Sequence, residues 1–304
     1  MILALLTMLV SWSGFATETN SDSRELPVKF GFTRSMFVDL NEGDTRAAVK
    51  SYSILLASKD DLAVSDSPGV LENAAAVAAA FTSGTADIIS LTSTEFLSLP
   101  DGLVHPRMIS AAVGGTYFEQ YVLLARNDSG IKTIADLQNK RLLIYGSLRG
   151  SLSPIWLDVL LATNGFAEAK DFFGSVTPVN KPSRTVLPVF FQQADACIVT
   201  RTGFEVLSEM NPQVTKQMKI IATSPQLIPT VTCFRAGISP RALERIIHAV
   251  VSAQHTVAGQ QVLTIFQSDG IAEIRTEQIE SVRELIATQA RLRHPSAKTV
   301  DTVQ

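Results

Sequence analysis

The sequence predicts an α/β protein in two lobes, each a mainly parallel sheet covered by helices on both faces. Three observations predict it. From Val28 onward, short apolar runs of strand character alternate with segments of helical spacing, the pattern of sheets sandwiched between helices. The length, 304 residues, exceeds one ordinary core and suits two lobes of roughly 100–150 residues. No proline- or glycine-rich tether divides the chain, so two lobes must be joined by extended crossing segments. The regular β-α units are too few for a closed eight-fold barrel.

The elements follow in order. VKFGFT (28–33) is a strand rich in aromatic and β-branched residues. DTRAAVKSYSILLAS (44–58) has helical spacing with Asp44 placed as N-cap. LAVS (62–65) is a short strand, and GVLENAAAVAAAFTSG (69–84) an alanine-rich helix closed by Gly84. ADIISLT (86–92), MISAAVGG (108–115) and YVLLARN (121–127) are extended. TIADLQN is a turn or two of helix, and the run Leu142–Tyr145 a buried strand. An apolar helix opens on Ser153-Pro154, VTPV is a strand, and RTVLPVFFQQ is a helix with Pro188 near its first turn or at a kink. ACIVT, MKIIATS and PTVTCFRA are strands, with the helix RTGFEVLSEMN after the first of them. Three helices finish the chain near 239–254, 256–267 and 276–292. EQYVLLARND (119–128) and PTVTCFRAG (229–237) are the expected crossings. They divide the chain into a discontinuous first lobe, 28–118 plus 230–304, and a second lobe, 119–229, that includes the hinge segments.

Composition excludes several classes. Hydrophobic residues make up 46% and charged residues 18%, which describes a soluble globular chain. A net charge of −3 offers no global basic field to nucleic acid, so any anion binding must be local. MILALLTMLVSWSGFA (1–16) carries no charge and is too short to span a bilayer comfortably. It reads as an export signal cut after Ala16, with Gly14 and Ala16 as the small residues before the cut, or else as a buried N-terminal helix. TETNSDSRELP (17–27) is then a polar lead-in. Cys197 and Cys233 sit in apolar strand-like runs and read as buried thiols, with a disulfide as the alternative in an oxidising compartment. His105, His248, His255 and His294 share no metal-ligand spacing, so no metal and no cofactor are expected. GxSxG is absent and no acid–base pair stands out, so the chain is not read as an enzyme.

The candidate site lies where strands hand over to helices. In open α/β sheets, ligands gather at the carboxyl ends of strands, where helix N-termini offer free N–H groups. GSLRGSLSP (146–154) follows a strand and precedes a helix. Gly146 and Gly150 allow tight backbone, Ser147, Ser151 and Ser153 offer hydroxyls, and Arg149 supplies a charged planar fork. A capping turn, with Ser153 as N-cap and Pro154 as first helical residue, is the structural alternative. Thr33, Arg34 and Ser35 follow the first strand, and Thr92, Ser93 and Thr94 follow the third. One of the latter is an N-cap, and Glu95 is a first-turn acid that favours the helix dipole or would answer a ligand amine. Ser183 and Arg184 precede a helix, beside a solvated Lys181. Arg201 follows ACIVT directly and either caps the cleft or pairs with Asp195. Tyr117 and Phe118 wall the cleft or pack the hinge.

Five segments occur in order: VKFGFTRS with DTRAAVKSY, FTSGTADIISLTSTEFLSL, YVLLARNDSGIKTIADLQNKRLLIYGSLRGS, QADACIV and IIATSPQLIP. NDSGIKTIADLQNKRLLI (127–144) and SGTADI (83–88) are the most specific pieces. The series, spanning residues 28 to 270, resembles the periplasmic substrate-binding proteins of phosphate, phosphite and phosphonate ABC importers. The resemblance implies a two-lobed type II binding-protein fold with the ligand cleft at the hinge. It implies a monomer that holds a small anionic or zwitterionic ligand and presents it to a membrane-embedded ABC permease. A sensor module reporting to a membrane kinase or cyclase is the alternative, and an enzyme on the same scaffold a third. The transfer of site residues is partial. The family's serine/threonine cluster aligns with Leu148-Arg149-Gly150-Ser151, and its first-lobe tyrosine with Phe96. Its proline-bearing turn is replaced by Thr33-Arg34-Ser35, and its histidine near 184 by NKPSRT.

Overall fold

A computed structural model describes residues 27–38 and 69–293, with a few isolated positions between them. The leader 1–16, most of the lead-in and most of LAVS lie outside the described residues. So does most of the helix read over 44–58, although its described positions 44, 47, 50, 51 and 54 are helical. Asp44 follows a helical Gly43 and is therefore inside the helix, not its cap.

Eleven strands are described. The first sheet takes β1 (Phe30–Thr33), β2 (Gly69–Leu71), β3 (Ile88–Thr92), β4 (Val104–Ala112), β10 (Thr230–Arg235) and β11 (Gly270–Arg275), in the order β11-β4-β10-β3-β1-β2. The second takes β5 (Tyr121–Arg126), β6 (Arg141–Tyr145), β7 (Ser175–Val179), β8 (Ala196–Thr200) and β9 (Met218–Thr223), in the order β7-β6-β8-β5-β9. The α/β class holds, but the sheets are mixed rather than mainly parallel. β1, β2 and β3 pair in parallel, as do β6, β7 and β8. The strands that follow the crossings enter head-on: β5 lies antiparallel between β8 and β9, and β10 antiparallel between β3 and β4.

Three segments depart from the sequence reading. Gly69–Leu71 pairs with β1 as a strand, and the helix begins only at Ala74, where Asn73 accepts from the Ala76 N–H as cap. Gly31 and Gly69 face each other across that pair, and a Cβ on Gly31 would lie 2.7 Å from the Gly69 carbonyl oxygen. β4 starts at Val104 and ends before the Gly114-Gly115 turn. GIAEIR forms the edge strand β11 instead of joining two helices.

Apolar side chains cover both faces of each sheet. Phe30, Phe32 and Phe234 pack under the helix Pro240–Ala253 through Leu243, Ile246 and Val250. Val122, Leu124 and Val199 pack under the helix Pro182–Phe190 through Val186 and Val189. A third cluster is continuous from Ile89, Leu91 and Met108 of the first sheet to Leu123, Leu142 and Ile198 of the second. Cys197 and Cys233 are buried and free, one in each sheet, so no disulfide joins them. Burial pushes both thiols well above their ordinary pKa.

The chain passes between the sheets at 113–120 and again at 224–229, and the two passages pair. The Glu119 N–H donates to the Leu227 carbonyl at 2.7 Å, and the Leu227 N–H returns to Glu119 at 2.8 Å. A third passage follows β11. The closing helix Glu280–Arg293, read with the first lobe in sequence, packs on the second-sheet helix Ser153–Thr163. Val282 and Leu285 join Trp156 and Leu157 there, and the Arg293 guanidinium is paired with Asp158.

Candidate functional site

Between the first lobe and the loop after β6 lies a cavity of about 80 Å³. Its first-lobe wall includes Phe32, Met36, Leu263 and Phe266, and its second-lobe wall Leu148 and Arg149. Glu119 and Pro229 come from the crossings. Phe32 and Phe266 stack with ring centroids 5.6 Å apart and planes 4° from parallel. Ser90 and Thr232, also in the wall, spend their hydroxyls on each other at 2.7 Å.

The sequence of the loop after β6 dictates its path. Gly150 folds back onto the end of β6, and a Cβ there would lie 2.0 Å from the Tyr145 carbonyl oxygen. The Gly146 N–H is bonded to Val179 O at 2.9 Å. The helix then starts at Ser153 with Pro154 in its first turn, and Leu152 rather than Ser153 holds the cap position. Ser153 Oγ instead donates to the Gly150 carbonyl at 2.8 Å. The Tyr121 hydroxyl, on the crossing strand, donates to the Arg149 carbonyl at 2.8 Å and pins the loop. The Ser147 and Ser151 hydroxyls are sealed from solvent and hydrogen-bond to nothing among the described residues.

Arg149 enters the cavity and meets Glu119, whose side chain is 1% exposed. The guanidinium, 16% exposed, forms an ion pair with that carboxylate, and its Nη1 donates to the Gln267 carbonyl at 3.3 Å. Burial pushes the Arg149 pKa down to about 10, against the pull of Asp269. The group is therefore a cation at neutral pH. Gln267, which holds a left-handed backbone at φ 53°, also accepts from the Tyr145 hydroxyl at 3.2 Å. One first-lobe residue thus grips the second lobe twice, at the end of β6 and on the loop after it.

The first-lobe hydroxyls converge elsewhere. Thr33 Oγ1 donates to Glu95 Oε2 at 2.8 Å and Ser35 Oγ to Oε1 at 2.7 Å. The Thr92 N–H donates to Oε2 at 3.0 Å, and Thr92 caps the helix Ser93–Phe96 in a reciprocal capping box with Glu95. The Thr94 hydroxyl meets that of Thr92 at 3.0 Å. An internal carboxylate thus occupies the donors at the ends of β1 and β3. Ser93 turns to the second crossing, its Oγ donating to Ile228 O and its N–H to Pro229 O.

Of the fourteen residues expected at the site, Arg149 alone belongs to the cavity wall. Gly150, Ser147 and Ser151 shape or flank its loop. The Arg34 fork is exposed and grips Glu72 at 2.6 and 2.8 Å. Ser183 and Arg184 open the helix Pro182–Phe190, half-buried and exposed respectively, away from the wall. Arg201 braces the hinge, its Nε donating to Gln120 Oε1, while Asp195 pairs with Arg141 instead. Tyr117 does line the cavity and receives a hydrogen bond from Gln278. Sequence reasoning missed Glu119, Phe32 and Phe266. The only signal was an acid heading an apolar crossing strand. Among the described residues, no three His, Cys, Asp or Glu side chains gather as a metal site.

Two sheets joined by paired crossings, with a cavity where the lobes meet, define a two-lobed binding protein. A family model described as the periplasmic substrate-binding protein of the phosphonate ABC transporter matches residues 68–279, and the chain belongs to that family. The family consists of substrate-binding proteins, not enzymes. Solved structures agree in fold. XAC2383 from Xanthomonas citri, bound to chloride, is 16% identical with a TM-score of 0.57, over 88% of this chain and 99% of that one. A binding-protein component of an ABC phosphonate transporter from Pseudomonas aeruginosa, PA3383, is 16% identical with a TM-score of 0.57, over 91% of each chain. PhnD1 from Prochlorococcus marinus, in complex with methylphosphonate, is 15% identical with a TM-score of 0.54, over 85% and 96%. No curated protein matches the chain.

Proposed function

We propose that this protein is exported, captures a small molecule bearing an anionic group between its lobes, and delivers it to a membrane-embedded ABC permease. The cavity between the first lobe and the loop after β6, with Arg149 in its wall, is the observation that carries the reading. Family membership supports the transport role. Ser147 and Ser151 add two buried hydroxyls on the same loop with no partner among the described residues, and buried polar groups of that kind are costly unless something bonds them.

Capture works by closure. The ligand stabilises the arrangement in which both lobes touch it, and it shifts the population by its preference for that arrangement. Segments 113–120 and 224–229 serve as the hinge. No helix among the described residues is long and apolar enough to cross a membrane. The exported form begins near Thr17, and the mature protein works as a monomer.

Thermal unfolding of the purified protein against phosphonates, phosphate, sulfonates, carboxylates and amino acids tests the reading. Binding to the folded state raises the melting temperature by mass action, and at least one class is expected to do so. A melting temperature unmoved by every class overturns small-molecule capture.

A further inference from the structure

We propose that the ligand is a small zwitterion with an apolar body, of the α-amino acid kind, laid across the Glu119–Arg149 pair. This deepens the capture reading above and rests on it.

Charge comes first. Among the described residues of the cavity wall, the charged side chains are Glu119 and Arg149, which pair with each other, and Asp269 adds its negative field from outside the wall. A phosphate or phosphonate dianion would enter a largely apolar space with no cation left over, and burying unanswered charge is strongly unfavourable. The donors at the ends of β1 and β3 give no relief, because Thr33, Ser35 and the Thr92 N–H are already bonded to the Glu95 carboxylate.

A zwitterion resolves the balance. Its ammonium and carboxylate share one carbon and lie side by side, as the two protein groups do. Placed antiparallel to the pair, its carboxylate meets Arg149 and its ammonium meets Glu119, and the charge balance of the wall is left as it was. The rest of the molecule then faces Phe32, Met36, Leu148 and Phe266, where burial of apolar surface supplies affinity.

Calorimetric titration of the full chain tests this with five probes: L-leucine, L-phenylalanine, methylphosphonate, inorganic phosphate and the uncharged N-acetyl-L-leucine amide. At least one amino acid is expected to bind ten-fold or more tightly than the other three probes. Binding of methylphosphonate or phosphate with both amino acids silent overturns the ligand class and leaves capture standing. An amide that matches leucine overturns the zwitterion. Heat from none of the five also overturns it, while the wider thermal screen separately decides capture. The Glu119→Gln protein, checked for folding by circular dichroism, leaves Arg149 in excess. It is expected to lose ten-fold or more for the amino acid and to bind 4-methylpentanoate, the carboxylate without the amine, more tightly than the parent does. Unchanged amino-acid affinity in that variant overturns the proposal.

Discussion

The Glu119 carboxylate, on the first crossing, rests against the Arg149 guanidinium, on the loop after β6, and the two are sealed together between the lobes. Each makes the burial of the other tolerable. The sequence joins them because Gly150 turns the loop back and Leu227 fixes the backbone of Glu119.

Breaking that pair on one side leaves a bare buried charge. Arg149→Met is expected to destabilise the fold by about 3–5 kcal/mol. The double change Arg149→Met with Glu119→Leu should recover most of the loss, because it removes both charges. Guanidinium denaturation of the single and double variants measures the coupling. A double variant no more stable than Arg149→Met would show that the pair does not account for the loss.

Gly150→Ala forces a Cβ to within 2.0 Å of the Tyr145 carbonyl oxygen. The loop must shift, at a cost of about 3 kcal/mol, the upper range of overpacking. Gly146→Ala brings its Cβ to 3.1 Å from the Pro178 Cβ, with its other neighbours at ordinary contact of 3.8 Å, and should cost under about 1 kcal/mol. Denaturation midpoints compare the two, and equal losses would contradict the close approach at Gly150.

Glu95→Ala strips the acceptor from Thr33, which is fully buried, and from Ser35. A loss of about 1–3 kcal/mol follows from the orphaned donors. The emptied cradle should also let inorganic phosphate raise the melting temperature of the variant but not of the parent. Identical phosphate responses would show that the cradle does not accept an oxyanion.

Asp158 carries a pH signature. Burial works against its ionisation, but hydrogen bonds from Arg293 and Gln289 outweigh it and hold the carboxyl below its ordinary value. A folded pKa below the unfolded one adds stability that is fully present above the unfolded pKa, near 4, and is lost as pH falls through the folded value. Asp158→Asn should therefore cost about 1–3 kcal/mol at neutral pH, with the gap to the parent closing as pH drops below about 4. Urea titrations at pH 7, 5 and 3 read it out, and a constant gap would contradict the linkage.

Much of the fold was legible because β1, β3, β5 and β8 are continuous apolar runs ended by polar or glycine residues, which local pattern reveals. β2 was not, because Gly69–Leu71 abuts an alanine-rich helix and becomes a strand only through pairing with β1. β11 was hidden in the same way, since GIAEIR is a weak strand that β4 recruits from afar. At the site, Arg149 stood out as a lone cation between a strand end and a helix start. Glu119 did not, because an isolated acid has no period and its burial is decided by a loop distant in sequence. The hydroxyls after β1 and β3 were visible as donors, but their shared acceptor, Glu95, emerges only when the two strands lie side by side.

The closing helix has a mechanical consequence. Two connections alone would let one half swing on the other like a door. Because Glu280–Arg293 leaves β11 and is anchored to Asp158 on the far half, the molecule carries a check-strap across its gap. A tether of that kind holds any swing of one half on the other to a short arc.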